Sequence, residues 1–392
     1  MARALDAVRR ISSGVGGALI LSLVLAAVPA GQAQTQGQAA PKPAKKDPAA
    51  KLEQPWPDAA QLADRRTAAE ALPLFASADP LPITLSASFT DINRDRTPES
   101  TKRFAGSLQL PGAGGAKATV PVQIGSRGHA RLDSRTCSIV PLRLEMEKKD
   151  VKATVLNGQR ELKLVTHCEN DRTYEQNILV EYLAYRIFNT LTPRSFRARL
   201  VQATYVDTAR NKANGPRVGM LLEQDDDVAK RMDGRTVSLT NRMFHMLDRE
   251  TLLTMSLLQY LAGNTDFSIL KLHNIKLVQD KPGALFPIAY DFDYSGLVNA
   301  RYAVPDRALM IKSVRTRVYR GPCLQVQELE PFAVKFRAKK AEILALTDTV
   351  PGLDKDRRQD VRDYLEEGLD IITTPGRAKR MIIDGCTRVA GM

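Results

Sequence analysis

Residues 263–293 read GNTDFSILKLHNIKLVQDKPGALFPIAYDFD. The apolar positions of the preceding segment, 249–262, predict a helix, and Gly263 suits its left-handed C-cap. Two short β-type runs follow, HNIKLV and FPIAYDFD, joined at Asp280-Lys281-Pro282-Gly283, a turn signature. An acidic loop therefore precedes one strand and another ends the next. This order allows Asp266, Asn274, Asp291 and Asp293 to converge at one end of a strand pair. A site with oxygen donors and neither Cys nor His suits a hard cation, Mg²⁺ or Mn²⁺, which substrate phosphates commonly help to ligate. Any one of these acids alone is equally a helix cap or a turn former; it is the ordered set that points to chemistry.

Working upstream, ITLSASF, KATVPVQI and SIVPLRLEM alternate apolar and polar residues and predict strands. VKATVLNGQRELKLVTHC predicts two more around Asn157-Gly158, a hairpin signal. The period then changes: 173–191 carries Leu179, Leu183, Ile187 and Leu191 on one face of a helix, which Pro193 ends. ARLVQATYVD and RVGMLLEQ predict strands flanking a turn at Asn214-Gly215. Downstream of 293, helices are expected near 331–347 and 354–372. The fold class expected is α+β: a β-rich half at 76–240 and a mainly helical half at 241–392, with a cleft between them.

The 392 residues, 43% hydrophobic and 26% charged, exclude collagen-like, coiled-coil and wholly disordered chains. The net charge of +13 favours anionic partners without implying nucleic acid, and no nucleic-acid partner is expected. Arg3, Arg9 and Arg10 precede an apolar run at 15–28 and small residues to Ala33, the layout of a cleaved signal peptide over 1–33. Residues 34–75 are read as an Ala/Pro-rich disordered linker with room for a short helix near 59–71. The expected location is therefore periplasmic or secreted, with no transmembrane segment after signal cleavage. Cys137, Cys168, Cys323 and Cys386 then predict two disulfides, and pairing within each half is preferred among the three possibilities. No HExxH motif or nucleophile–His–acid set stands out to suggest a hydrolase.

GNTDFSILKLHNIKLV followed by PIAYDFD resembles the catalytic and metal loops of atypical protein kinases. The nearest resemblance is to the CotH spore-coat kinase family, with HipA-type kinases more distant. VPVQIGSRGHARL, ELKLVTHCENDRTYEQNILVEYLAYRIFNTL and RVGMLLEQDDDVAKRM extend the likeness over roughly 110–300. The resemblance implies a two-lobed kinase-like fold, with ATP as co-substrate and a divalent metal. The acceptor would be a protein or cell-envelope hydroxyl. It assigns Asp266 as the catalytic Asp, and Asn274, Asp291 and Asp293 as metal ligands. Lys163 would contact phosphate, in competition with Arg127 and Arg143. Glu181 would be the partner of Lys163, and Glu223 would lie beside adenine. Asp266 and Asn274 are eight residues apart, against about five in protein kinases. The other reading of the same resemblance is an exported binding or scaffold protein that keeps the shape without catalysis.

Overall fold

Alternation along β1 (Leu81–Ala87) puts Leu81, Ile83, Leu85 and Ala87 on one buried face. Period-2 burial of this kind needs a second apolar layer opposite, and here the sheet supplies it by closing on itself. The protein, seen in a computed structural model that describes residues 53–112 and 116–386, forms a seven-stranded barrel in the order β1-β2-β3-β4-β5-β7-β6. The other strands are β2 (Phe104–Pro111), β3 (Lys117–Ser126), β4 (Leu142–Glu145), β5 (Glu161–Val165), β6 (Ala198–Asp207) and β7 (Lys212–Leu222). Neighbours are antiparallel except at the closing seam, where β1 runs parallel to β6 with Leu81 opposite Val201. Closure leaves no unpaired sheet edge. The interior is an aliphatic cluster that includes Leu85, Val120, Ile124, Leu144 and Leu164.

A second apolar core surrounds α4 (Arg172–Leu191) and α6 (Arg249–Ala262). Every residue of α6 from Thr251 to Ala262 is buried, the polar Thr251, Thr254, Ser256 and Gln259 among them. Asp248 caps its start through Thr251 N–H, and Gly263 ends it at φ +61°. A Cβ at Gly263 would lie 2.0 Å from the Tyr364 hydroxyl, so conformation and space both require glycine there. α4 packs on β6 and β7 on one side and on α6 and α7 (Val326–Thr349) on the other. α8 (Lys355–Thr373) packs on α6 and α7, and α6 also lies on the sheet β10-β9-β8. That sheet comprises β8 (Gly234–Val237), β9 (Ile275–Asp280) and β10 (Leu285–Ala289). The α+β class is thus present, but position 240 does not divide the two cores. α4 and β8 both come from before it.

Several local expectations change. Asn157-Gly158 does not turn a hairpin: β4 pairs directly with β5, Leu142 opposite Leu164, and the intervening chain holds α3 (Lys148–Val151) and turns. Val151 and Leu156 from that connection plug the barrel core instead of alternating across a sheet. Asn214-Gly215 lies inside β7, and the reversal falls at 208–211, where the Asp207 carboxylate accepts from Ala209 N–H. β2, in FAGSLQLP, was not anticipated. The part of the expected linker that lies at 53–75 is folded. α1 (Ala59–Glu70) has a capping box at Asp58 and Gln61 and packs on α5 (Asp225–Arg231). The Arg235 guanidinium lies 4.3 Å from the centre of the Trp56 ring. The signal-peptide reading and the first part of the linker, 34–52, fall outside the described residues.

Both disulfides pair within halves, Cys137–Cys168 and Cys323–Cys386, with Cα separations of 4.8 and 5.6 Å. They are consistent with an oxidising, extracytoplasmic setting. Among the described residues no helix is long and apolar enough to cross a membrane.

Candidate functional site

The loop after α6 answers the spacing question. Ser268 and His273 exchange both backbone hydrogen bonds, at 3.0 and 2.9 Å, so 269–272 loop out as a small hairpin. Asn274 is thereby returned to Asp266. Its Nδ2 donates to the Asp266 carbonyl at 2.8 Å and to carboxylate Oδ2 at 3.1 Å. His273 Nε2 lies 2.9 Å from the other carboxylate oxygen, Oδ1. Asn264 Oδ1 accepts from Asp266 N–H, and Arg320 donates to the Thr265 carbonyl. Asp266 is therefore fixed by both of its neighbours while its side chain stays 39% exposed. Each carboxylate oxygen retains acceptor capacity toward solvent. The hydrogen bond that His273 donates to Asp266 raises the His273 pKa, against some loss of hydration.

β9 and β10 place Asp291 at the end of the pair, where Tyr290 N–H donates to the Asn274 carbonyl. Asp291 N–H donates to the Tyr185 hydroxyl of α4 at 2.9 Å. Leu272, Asn274 and Asp291 all sit at left-handed φ, +51°, +53° and +66°. Such conformations cost energy in non-glycine residues, least for Asn and Asp, and tend to gather at functional sites. Behind Asp291 lie two buried acids, Asp293 and Glu181. Burial, then the charge of Asp291, pushes Asp293 up to about 8, and burial with both aspartates pushes Glu181 well above the carboxylate range. Tyr302 donates to Asp293 at 2.9 Å. A cavity of about 10 Å³, lined in part by Glu181, Asp293, Tyr302 and Arg131, has room for about one water-sized occupant. The Tyr294 hydroxyl, pushed to about 12 chiefly by burial, feels Asp293, Asp266 and Asp291 together.

The four acidic-loop residues thus share one neighbourhood, and Glu181 joins them from α4. Lys163 does not pair with Glu181. Its ammonium lies 2.6 Å from Asp225 at the start of α5, and Lys276 of β9 reaches the same carboxylate at 3.1 Å. Burial pushes the Asp225 carboxyl up, but the two lysines more than offset it and hold it at about 2. Burial pushes Lys163 down. Both lysines lie over the Tyr290 ring, 5.5 and 5.3 Å from its centre. The lysine cluster adjoins the acidic one through Tyr290, the residue before Asp291.

Glu223 is held by its side chain in a buried ionic network. It is fully buried, and its carboxylate accepts from Arg197 N–H and from the Arg197 and Arg231 guanidinia. Its own N–H donates to the Arg197 carbonyl. This network joins β6, β7 and α5 and leaves neither group for a nucleotide base. Arg143 is drawn off by Glu161 at 3.4 Å. Sequence reasoning missed Asp225 as the lysine partner. It also missed Lys276, Arg131, Tyr185 and Tyr302. Lys276 left a faint signal, a cation between the buried Ile275 and Leu277 of β9; the others became visible only through tertiary contact.

The donor set here is oxygen-rich and has the chemistry of a hard-cation site. Among the described residues no three His, Cys, Asp or Glu side chains are grouped tightly enough to hold a metal unaided. Mg²⁺ commonly takes only one or two protein carboxylates and completes its shell with water and phosphate. Asp291 with Asn274, or Asp291 with Asp293, fits that lighter requirement. Compared with known proteins, the chain matches no protein-family model and no curated protein.

Proposed function

We propose that the protein is an exported, kinase-like phosphotransferase that moves the γ-phosphoryl group of ATP to a protein or cell-envelope hydroxyl, with Mg²⁺ or Mn²⁺. The observation that carries this reading is the return of Asn274 to Asp266 beside Asp291. A solvent-facing carboxylate, held by a His and an Asn, stands next to a second carboxylate on a strained loop. In that arrangement Asp266 would accept a hydrogen bond from the acceptor hydroxyl and align it with the phosphorus. Asp291, assisted by Asn274 or Asp293, would hold the metal. The bound metal would neutralise charge on the phosphate oxygens. Lys163 and Lys276, which share Asp225, and Arg127 lie near Tyr290, and nucleotide phosphates would gain from their positive charge.

The scaffold reading keeps one specific support. Lys163 is already neutralised by Asp225, so it reaches phosphate only by giving up that pair. Phosphate transfer separates the two readings. Wild type with γ-labelled ATP and Mn²⁺ is expected to label itself or an envelope extract. Asp266→Ala is expected to bind ATP as wild type does and to lose labelling at least a hundredfold. Equal labelling by both proteins would remove Asp266 from catalysis, and ATP binding without any labelling would favour the scaffold.

A further inference from the structure

The looped-out segment 269–272 that returns Asn274 to Asp266 also builds a surface beside it. Asn241 N–H donates to the Leu270 carbonyl, which ties the turn at Phe244–Met246 to the Asp266 loop. Arg320, which donates to the Thr265 carbonyl, closes a third side. Arg242, Phe244, Phe267, Ile269, Leu270 and Arg320 together line a shallow hollow of about 10 Å³, room for one oxygen-sized group. Phe267 directly follows Asp266, so an extended peptide, at about 3.3 Å per residue, passes from Asp266 to the hollow within a few residues.

The charge around this hollow is unbalanced. Among the described residues, the side chains of Arg242 and Lys271 make no ion pair and no hydrogen bond. Arg242 is half-buried, but only its Nε is both buried and unpaired, so its two terminal nitrogens stand open at the rim. Lys271 is exposed in the looped-out segment. Counter-charge is scarce. From Tyr294 to Gln325 the sole carboxylate is Asp306, against six Arg and Lys residues. Arg315 and Arg317 of that stretch pair with Asp360 and Glu367 of α8, but Arg307 is exposed and has no such partner among the described residues. Asp306 caps its own turn through Ala308 N–H. Apart from Asp266 itself, nothing negative therefore meets Arg242 and Lys271, and their surplus charge calls for an anion. The fork of Arg242 matches a carboxylate. Beside it Met243 and Met246 are 49% and 45% exposed. Methionines of this kind make adaptable apolar contacts, which a purely polar polyanion would leave unused.

We propose that this surface selects the acceptor: an acidic peptide segment whose hydroxyl residue meets Asp266, with nearby glutamate or aspartate side chains on Arg242 and Lys271 and an apolar side chain over Met243 and Met246. The peptide's role as acceptor rests on the phosphotransferase reading; its binding does not, and is measured without nucleotide. Fluorescence anisotropy of the full chain at low salt uses a labelled peptide holding one serine among glutamates and one leucine. It is expected to bind at least tenfold more tightly than the same peptide with glutamines in place of the glutamates. Arg242→Gln and Lys271→Gln are each expected to weaken it at least threefold, and together at least tenfold, with the melting temperature unchanged. Lys149→Gln, at an exposed cation of α3, is expected to leave it unchanged. Equal binding of the glutamine peptide, full binding by the double variant, an equal loss in Lys149→Gln, or polyphosphate bound as tightly as the peptide would each overturn the proposal. Serine labelling with no preference for flanking glutamates would overturn it and leave phosphotransfer standing. Glutamate-dependent binding by a protein that labels nothing would keep the peptide surface and remove the phosphotransferase.

Discussion

Asp266 and Glu223 carry the same functional group and do opposite things. Asp266 sits 39% exposed between His273 and Asn274, with spare acceptor capacity. The Glu223 carboxylate is sealed between two guanidinia and a backbone N–H. Their positions in sequence did not reveal this difference. RVGMLLEQ shows an acid at the end of an apolar strand, and its partners, Arg197 and Arg231, lie in separate segments. Glu223→Ala would strand two partly buried arginines. Removing one partner of a buried ionic network costs about 3–5 kcal/mol. Urea unfolding of Glu223→Ala should show a loss of that size with intact disulfides. A loss below about 1 kcal/mol would mean that solvent screens the network despite its burial.

The elements of the helical body were largely legible, because 3.6-residue periodicity and end signals are local. The helices at 172–191 and 249–262, the Gly263 cap and the β9–β10 turn all fall where the pattern put them. The barrel was less so. Asn157-Gly158 and Asn214-Gly215 carry strong hairpin chemistry, yet the turns fall elsewhere, because register in a closed barrel is set by which residues fill its interior. The site's acids were readable, but the partner of Lys163 was not, since β5, α5 and β9 meet only in the folded chain. That junction gives a test of its own. Asp225→Ala should destabilise by about 3–5 kcal/mol by leaving Lys163 buried beside Lys276 and Arg127. Lys163→Met added to it should recover most of the loss. Additive effects of the two substitutions would show that the pair is not coupled.

At the scale of the molecule, α4 packs on the barrel strands β6 and β7 and on the helices α6 and α7, and the acidic and lysine clusters are held by elements from both halves of the sequence. Stability should also depend on pH through the barrel end. His167 is neutral in the folded state, its pKa lowered to about 4 by burial and by Arg217 and Arg131, with Asn170 opposing. The unfolded chain binds a proton near pH 6.5 and the folded chain does not. The contribution of His167 is therefore complete above about pH 6.5 and declines as pH falls toward 4. Between pH 7.5 and 4.5, wild type should lose more unfolding free energy than His167→Phe, measured by urea titration. Parallel losses would show that His167 is not the group responsible.

The central claim is that Asp291 holds a metal against nucleotide phosphates beside a catalytic Asp266. Equilibrium dialysis of labelled ATP, with and without Mn²⁺, against wild type and Asp291→Asn tests it most directly. Wild type should bind ATP in a Mn²⁺-dependent way. Asp291→Asn, which keeps the backbone hydrogen bond to Tyr185 and so the local fold, should lose at least tenfold in binding. Metal-independent binding, unchanged binding by Asp291→Asn, or no ATP binding by wild type with either Mg²⁺ or Mn²⁺ would contradict it.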